Sequence, residues 1–330
     1  MSSFKSRLAP YIDGMIAQKR AMGYTYEAQE ISLKKFDAML AAEFPEAETI
    51  TKEITDCWGK RKPHEKTGTV RNRMVPVSHL AQYMNLLGHP AYVFPTNFLG
   101  KEEKYTPYIF TDEELSRFFH AVDTSCHYSS EVPYRQYVMP AMFRTVYCCG
   151  LRPGEARRLK YGDVDLDRGV ITIHASKYDA DREVPLSVSL WELLREYTDT
   201  VHKMTESEDA PFFPGYLGKE ITTDNMNANF RRFLRYAGIS HGGPGKGPRI
   251  YDFRHTFAVN TLKTLILRGE NMNAYYPLLK TYMGHSFFKY TEYYLRLTKS
   301  MFPDICQRLT GFLEEDLPIW EMEADNEEAD

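Results

Sequence analysis

Hydrophobic side chains recur at helical spacing through the first part of the chain. Leu8, Ile12 and Met15 fall on one face of the first predicted helix. Similar apolar stripes predict three more helices, and Pro76 should kink the last of them or mark its true start. The four predicted helices span residues 3–22, 27–42, 51–59 and 67–86. We therefore expect a helical N-terminal unit.

A second helical region follows a stretch rich in proline and charge. Residues 89–109 contain three prolines, which predicts an interdomain linker. Thr111 and Glu114 form a capping-box pattern, so we expect a helix to start there. The helices predicted from this point on span residues 111–122, 134–149, 153–160, 187–201, 222–237, 251–268, 273–283, 287–297 and 303–313.

Two short stretches between these helices have the alternation and β-branched content of strands. Residues 170–174 and 183–185 predict paired strands, and residues 163–167 predict a turn before them. The fold we expect is mainly α, with a helical N-terminal domain and a mainly α second domain that contains a small antiparallel β-sheet. The predicted division is residues 1–88, a linker at 89–109, a second domain at 110–313 and an acidic tail at 314–330.

The composition indicates a protein of the cytoplasm. No run of 18 apolar residues is present, so we expect no membrane span. The N-terminus lacks the apolar core of a signal peptide. The five cysteines include no C-x-x-C pair, which favours reduced thiols over a disulfide framework or a zinc site.

Charge is distributed unevenly along the chain. Residues 311–330 hold nine acidic residues and no Lys or Arg, and removing nine negative charges from a net charge of −4 leaves residues 1–310 at +5. A mildly basic body with an acidic tail is compatible with a DNA-binding protein. For residues 321–330 we favour a solvated, disordered terminus.

Two segments are candidates for contacts with DNA phosphates. The first is a basic stretch between the third and fourth helices, although such a run is also typical of a plain solvated face. The second is the glycine-rich loop 242–247, which lacks the preceding strand and the GK[ST] ending of a phosphate-binding loop. The candidate residues are Lys60, Arg61, Lys62, Lys66, Arg71, Arg73 and Lys246.

Arginine, lysine and histidine side chains precede a cluster of tyrosines along the chain. A tyrosine hydroxyl, with an ordinary pKa of about 10, needs cationic neighbours to attack a phosphodiester. The paired N–H donors of an arginine guanidinium match the oxygens of a phosphate. A lysine can donate a proton to a leaving oxygen, and a histidine can donate a hydrogen bond or accept a proton. The set contains Arg152 in GLRPGEA, Lys177 in ASKYDADREVPL, Arg254 in YDFRHTFA, His285 after Gly284, and Tyr290, Tyr293 and Tyr294.

This ordered set resembles the catalytic domain of the tyrosine site-specific recombinases of the lambda-integrase and Xer type. The resemblance spans about residues 110–300, and the N-terminal helices resemble the core-binding domain of that family. It implies catalytic roles for Arg152, Lys177, Arg254 and His285, a supporting acid at Glu155, and a nucleophile at Tyr294, nine residues after His285.

One position departs from the family pattern, and another is an alternative to Tyr294 as the nucleophile. The family usually has a histidine three residues before the second arginine, where this chain has Tyr251, a phenol that hydrogen-bonds a phosphate without carrying positive charge. His255, next to Arg254, is interpreted as structural. Tyr293 is the alternative nucleophile, because adjacent helical residues point about 100° apart and only one of them faces the phosphate.

The resemblance implies a recombinase or integrase of a mobile element that cuts and rejoins DNA through a 3′-phosphotyrosyl intermediate, without metal or other cofactor. Its expected partners are double-stranded DNA with a specific site, further copies of the chain in a tetramer on two duplexes, and an accessory DNA-bending or directionality protein. The predicted helix at 303–313 either docks on a neighbouring subunit or packs on its own domain. Two alternatives stay open: a type IB topoisomerase-like enzyme, and a non-catalytic DNA-binding relative, for which Tyr251 is the support.

Overall fold

The computed structural model forms two compact units, which are described separately. Among the described residues, the first unit ends at residue 95 and the second begins at residue 106. The structure describes residues 4–63, 65–95, 106–125, 132, 134–174, 181–203, 207–243, 247–285 and 288–301, without the side chains of residues 289, 296 and 299–301.

The first unit is an all-helical bundle around an apolar core. The core includes Leu8, Ile12, Phe36, Leu80 and Met84, all fully buried. Burial of each such side chain contributes about 1.5–3 kcal/mol, so this core holds the unit together. Its helices are α1 (Ala9–Ala21), α2 (Glu27–Glu43), α3 (Lys52–Gly59) and α4 (Thr67–Leu86).

The first predicted helix starts later than expected. The Asp37 carboxylate of α2 accepts hydrogen bonds from the backbone N–H groups of Lys5 (2.7 Å) and Ser6 (2.9 Å), so a long-range contact holds this stretch outside the helix. Pro10 then fits the first turn of α1, where no N–H is needed. Pro76 lies inside α4, so it does not mark the start of that helix.

Both described ends of the predicted linker are bonded to their own units. Tyr92 donates its backbone N–H to the Ile50 carbonyl (2.7 Å), and the Ser78 hydroxyl donates to the Phe94 carbonyl (3.0 Å). On the other side, Phe110 donates its N–H to Thr256 Oγ1 (3.1 Å) and lies in the second core. Residues 96–105 lie outside the described part of the chain.

The second unit is mainly α with a small antiparallel sheet, which confirms the predicted fold class. The strands are in the order β1-β2-β3, and Ile173 pairs with Arg182 at the end of the β2–β3 pair from which the chain passes from one strand to the other. The strands are β1 (Val164–Asp165), β2 (Val170–Ile173) and β3 (Arg182–Pro185). The helices are α5 (Asp112–Ser125), α6 (Arg135–Cys148), α7 (Pro153–Arg157), α8 (Val188–Val201), α9 (Thr223–Tyr236), α10 (Tyr251–Leu267), α11 (Met272–Met283) and α12 (Phe288–Met301).

Two local predictions in this unit were wrong. The helix predicted over 153–160 ends at Arg157, because the Leu159 carbonyl accepts a hydrogen bond from the distant Phe212 N–H (2.7 Å). The turn predicted over 163–167 contains β1, which pairs with β2 through Val164 and Ile171. The predicted helix 303–313 and the acidic tail lie outside the described residues.

Helix α10 connects the main core of the second unit to its polar centre. Phe253 is fully buried and packs against Phe118 (ring centroids 5.1 Å apart) and Phe230 (5.5 Å). Further along α10, Val259 and Leu262 pack with residues of α11 and α12 in a separate apolar cluster. This anchoring fixes the first turn of α10, which carries Arg254 and His255.

None of the helices in the described part of the chain combines the length and apolar character needed to cross a membrane. The same residues contain no cluster of three or more His, Cys, Asp or Glu side chains arranged to hold a metal ion.

Candidate active site

Arg152 is positioned by the first turn of α7. Gly150 reverses the chain after α6 with a left-handed backbone (φ 58°), a conformation that glycine adopts without strain. Arg152 is the N-cap of α7, and the Glu155 carboxylate accepts its backbone N–H at 2.8 Å. The same carboxylate accepts Arg152 Nη1 at 2.9 Å. The local PGEA turn therefore holds this guanidinium in one orientation.

Arg182, whose side chain is 11% exposed, is an arginine of the site that the sequence reasoning missed. It lies at the start of β3 and donates to both carboxylate oxygens of Glu155, at 2.9 and 2.7 Å. Its Nε donates to the Tyr282 carbonyl at 3.0 Å. The alternation of side chains along a strand could have indicated this position. Arg182 and Val184 are two residues apart and point to the same face of β3, and Val184 is fully buried.

Glu155 is the shared counter-ion of three guanidinium groups. Burial alone would raise the pKa of its carboxyl, but the Arg182 hydrogen bonds and the charges of Arg254, Arg182 and Arg152 outweigh this and hold the pKa at about 2. The carboxylate therefore stays ionised. It compensates one of the three positive charges and fixes two of the arginine side chains through hydrogen bonds.

Arg254 is fully buried in the first turn of α10. Its Nη1 donates to the Gly150 carbonyl at 2.7 Å, and its Nη2 donates to the Met283 carbonyl. Arg152 Nη2 donates to the next carbonyl, that of Gly284, at 3.3 Å. The two arginines thus converge on the C-terminus of α11, where the helix dipole favours cations.

The turn after α11 places His285 beside these arginines. Gly284 ends the helix in the left-handed region (φ 64°), and His285 N–H returns to the Lys280 carbonyl at 3.0 Å. A Cβ on Gly284 would lie 3.0 Å from Arg182 Nη1, so glycine leaves room for that guanidinium. The His285 side chain is buried, and its Nδ1 lies 2.9 Å from Thr291 Oγ1.

Tyr294 packs its ring against His285 on the inner face of α12. The two rings are stacked, with centroids 5.8 Å apart and an interplanar angle of 15°. The Tyr294 hydroxyl lies 3.1 Å from Nδ1 of His255, and the residue is only 3% exposed. Tyr293 is half-buried, and burial followed by the charge of Asp252 raises the pKa of its phenol to about 12.

Both histidines of the site are held neutral. Burial, followed by the charges of Arg254, Arg152 and Arg182, lowers the pKa of His285 to about 2. Burial and the charges of Arg254 and Arg249 lower the pKa of His255 to about 3. Each imidazole therefore keeps an unprotonated ring nitrogen at neutral pH.

The structure brings most of the predicted catalytic set into one place. Arg152, Arg254, His285 and Tyr294 surround the turn after α11, and Tyr251 packs on His255 with ring centroids 5.0 Å apart. The predicted catalytic Lys177 lies outside the described residues, as does Lys246, which was predicted to contact DNA. Lys177 falls in the sequence between β2 and β3, the strand pair predicted to flank it. His255, interpreted as structural, lies directly against the Tyr294 hydroxyl.

The predicted basic stretch follows α3 in the first unit. Its exposed members are Lys60, Arg61, Lys62 and Lys66. Arg71 is half-buried. Arg73 has intramolecular contacts: an ion pair with Glu65 (3.2 Å), a hydrogen bond to the Lys60 carbonyl (2.9 Å) and a position over the Trp58 ring. These contacts hold the start of α4 on α3.

Comparison with known proteins identifies the family of the second unit. The model of the phage integrase family matches residues 109–301, which include the whole arginine, histidine and tyrosine cluster. The chain belongs to the phage integrase family. This is the family of the tyrosine recombinases, and the protein is an enzyme that cleaves and rejoins DNA strands through a phosphotyrosyl intermediate.

Individual relatives cover both units of the chain. A protein of Sinorhizobium fredii named "Putative integrase/recombinase y4rB" is 28% identical over 313 residues, which is 94% of this chain and 98% of the relative. The crystal structure of XerH recombinase in a post-cleavage DNA complex has a TM-score of 0.60 at 18% identity and covers 85% of this chain and 78% of XerH. The structure of the Tn1549 transposon integrase in complex with circular intermediate DNA also has a TM-score of 0.60, at 15% identity. The match covers 86% of this chain and 94% of the Tn1549 integrase chain. These structures share the fold.

Proposed function

We propose that the protein is a site-specific recombinase or integrase of a mobile element and that Tyr294 is its nucleophile. Attack of the Tyr294 oxygen on the scissile phosphorus forms a 3′-phosphotyrosyl ester and releases the 5′-hydroxyl of the cut strand. The new ester retains the energy of the broken bond, so rejoining needs no nucleotide or metal. The observation that carries this proposal is the packing of Tyr294 on His285, in the turn that receives Arg152 and Arg254.

The two arginines bind the scissile phosphate in this proposal. Arg254 supports it most strongly, because its buried Nε–H has no hydrogen-bond partner among the residues that the structure describes. A buried donor without a partner costs about 1–3 kcal/mol, and a phosphate oxygen would satisfy it. Since Tyr294 is buried too, its hydroxyl has to become accessible to the phosphate when DNA enters the site.

The charge of the site favours an anionic substrate. Arg152, Arg182 and Arg254 surround the single carboxylate of Glu155, which leaves two positive charges uncompensated within this group. In a water-poor site, such charges stabilise a phosphorane far better than they do in bulk solvent. Burial, together with this excess of positive charge, lowers the pKa of His285 and keeps it neutral, so His285 acts as a hydrogen-bond donor to a phosphate oxygen rather than as a further cation.

The roles of Lys177, Tyr251 and Glu155 are assigned from their order in the sequence and from the elements that lie next to them. Lys177, between β2 and β3, donates a proton to the leaving 5′-oxygen. Tyr251 donates a hydrogen bond to the phosphate from the first turn of α10. Glu155 does not touch DNA and instead orients Arg152.

DNA recognition is shared by both units in this account. Lys60, Arg61, Lys62 and Lys66 are exposed at the junction of α3 and α4 and contact the phosphate backbone there. Arg71, Arg73 and Lys246 complete the proposed set of DNA-contact residues. The protein acts in the cytoplasm as a tetramer that joins two duplex sites, with an accessory DNA-bending or directionality protein. Similarity to y4rB, which is named an integrase/recombinase, and to the Tn1549 transposon integrase supports a role in DNA mobility.

The experiment uses a duplex that contains the flanks of the protein's own gene, nicked next to the cut site so that cleavage cannot reverse. We expect a protease-sensitive covalent complex with the wild-type protein and with Tyr293→Phe, and none with Tyr294→Phe. All three proteins should bind the duplex equally in a gel-shift assay. A covalent complex that survives Tyr294→Phe would overturn the assignment. Binding without any covalent complex would favour the non-catalytic alternative, and relaxation of plasmid without a defined site would favour the topoisomerase-like one.

A further inference from the structure

His255 lies beside the Tyr294 hydroxyl and has no role in the mechanism proposed above. Its Nδ1 lies 3.1 Å from the Tyr294 hydroxyl, within hydrogen-bond distance, and the two ring centroids are 5.5 Å apart. His285 meets the same phenol differently. It stacks on the ring face, and its Nδ1 is engaged by Thr291 Oγ1. His255 therefore lies beside the Tyr294 hydroxyl, whereas His285 lies against the face of the Tyr294 ring.

The surroundings of His255 hold the imidazole in place. Tyr251 packs against it edge to face at 5.0 Å from within α10, and Tyr293 packs against it at 6.3 Å from α12. In the described part of the chain, the titratable or charged groups near the ring include Arg249, Tyr251, Asp252, Arg254, His285, Tyr293 and Tyr294. Among the described residues, the charges that shift its pKa are those of Arg254 and Arg249, and both disfavour the charged ring.

We propose that His255 is the general base that removes the proton of the Tyr294 hydroxyl during strand cleavage, an inference that rests on Tyr294 being the nucleophile. The Tyr294 oxygen forms its bond to phosphorus while its proton passes to His255 Nδ1. The bond from phosphorus to the 5′-oxygen breaks, and that oxygen takes its proton from a separate donor, for which the mechanism assigns Lys177. Religation reverses both transfers, because His255 then returns the proton to the departing phenol.

Substrate binding strengthens this base. In the free protein, burial and the charges of Arg254 and Arg249 keep His255 neutral. In the tautomer with the ring proton on Nε2, Nδ1 accepts the hydrogen bond from the Tyr294 hydroxyl. A phosphate bound at Arg254 brings negative charge that offsets the arginine charge. The pKa of His255 then moves upward, toward the range where proton transfer from a phenol is more favourable. The base becomes effective only when the scissile phosphate is in place.

The test separates a base from a residue that only positions the tyrosine. In His255→Asn the amide oxygen occupies the place of Nδ1, so it accepts the same hydrogen bond but cannot take a proton. In His255→Gln the polar atoms lie where Nε2 was, which removes that acceptor. Each variant is measured in single-turnover cleavage of the nicked duplex between pH 6 and pH 9, beside wild type and Tyr294→Phe. Gel shift and thermal unfolding report DNA binding and folding.

We expect both His255 variants to bind DNA like wild type and to cleave about 10²–10⁴-fold more slowly, the usual contribution of a general base. Their rates should keep rising about tenfold per pH unit, because hydroxide must then remove the tyrosine proton, while the wild-type rate levels off. A duplex with sulfur in place of the 5′-bridging oxygen has a leaving group that needs no proton. It should rescue Lys177→Ala and leave both His255 variants slow.

Two results would overturn the proposal. His255→Asn cleaving within about threefold of wild type would show that the hydrogen bond alone matters, well below the contribution of a general base. Rescue of His255→Asn by the sulfur duplex would move the histidine to the leaving-group side. If the proposed function itself were wrong, the result would differ from both of these, because the wild-type protein would form no Tyr294-dependent covalent complex with DNA.

Discussion

Replacing Glu155 with glutamine should destabilise the second unit by about 3 kcal/mol at neutral pH. The carboxyl has a pKa of about 2 in the fold against an ordinary value of 4.5, and each tenfold change in proton affinity is worth about 1.4 kcal/mol. Because the folded pKa is lowered, this stability is complete above about pH 4.5 and is lost as the pH falls through about 2. Glutamine keeps the size of the side chain but leaves three buried or half-buried arginines without their counter-ion.

Urea unfolding followed by Trp191 fluorescence measures this loss. Trp191 reports the second unit, since its indole N–H donates to the Leu166 carbonyl at 2.6 Å. Trp58 and Trp320 are replaced by phenylalanine in every protein compared. The matched control is Glu183→Gln, whose ion pair with Arg168 is exposed (side chains 53% and 62%) and worth at most about 1 kcal/mol.

The pH dependence distinguishes the charge effect from a packing effect. The difference between Glu155→Gln and its parent should shrink from about 3 kcal/mol at pH 7 to about 1.4 kcal/mol at pH 3, because the unfolded carboxyl is then protonated. A Glu155→Gln protein as stable as its parent at pH 7 would refute the reasoning. So would a loss that stays constant between pH 7 and pH 3, since a cavity or a poor amide contact has no such titration.

Three further predictions concern the surroundings of the scissile phosphate. Arg254→Ala should abolish cleavage in the nicked-duplex assay while DNA affinity in gel shift stays within about tenfold, because binding is spread over many phosphate contacts; cleavage at the wild-type rate would remove Arg254 from the site. Gly150→Ala should destabilise the second unit more than the control Gly269→Ala, which has only the left-handed backbone cost of about 1–2 kcal/mol. The added Cβ at position 150 would lie 2.4 Å from Phe257, whereas at position 269 it meets no atom within 4 Å, so equal losses in urea unfolding would contradict this. Tyr251→Phe should slow single-turnover cleavage by about 5–13-fold, the worth of one hydrogen bond of about 1–1.5 kcal/mol, and leave the pH profile unchanged; an unchanged rate would mean that Tyr251 only packs.

Much of the helical framework could be predicted from sequence because its signals are local. Apolar periodicity predicted α2, α3 and α4 nearly to the residue. The Thr111 and Glu114 capping box exists as expected, with the Glu114 N–H donating to Thr111 Oγ1 at 3.2 Å and the Thr111 N–H to Glu114 Oε2 at 3.0 Å. Such features depend on neighbours three or four residues apart, which a single sequence displays directly.

The elements that were missed depend on distant partners. β1 is two residues long and exists because Val164 and Asp165 pair with β2, which no local pattern reveals. The late start of α1 depends on Asp37, more than 30 residues away from Lys5 and Ser6. Sequence-based reasoning places such residues by propensity, and tertiary hydrogen bonds override that preference.

The same limit applied to the candidate site. Motif order predicted which arginines and which histidine the structure brings together, but it gave Arg182 no role, because its partner Glu155 lies 27 residues away. His255 was interpreted as structural because adjacency to Arg254 says nothing about the side of α10 from which α12 approaches. Only the packing of α12 brings the Tyr294 hydroxyl to its Nδ1.

The most direct test of the account is to identify the amino acid that becomes linked to DNA. The protein is trapped on the nicked duplex, digested with protease and nuclease, and the nucleotide-bearing peptide is located by mass spectrometry. We predict a single adduct on Tyr294, whose ring lies on His285 and whose hydroxyl faces His255. An adduct on Tyr293 instead would contradict this account, since its half-buried phenol, with a pKa raised to about 12, would then have to be the group that attacks.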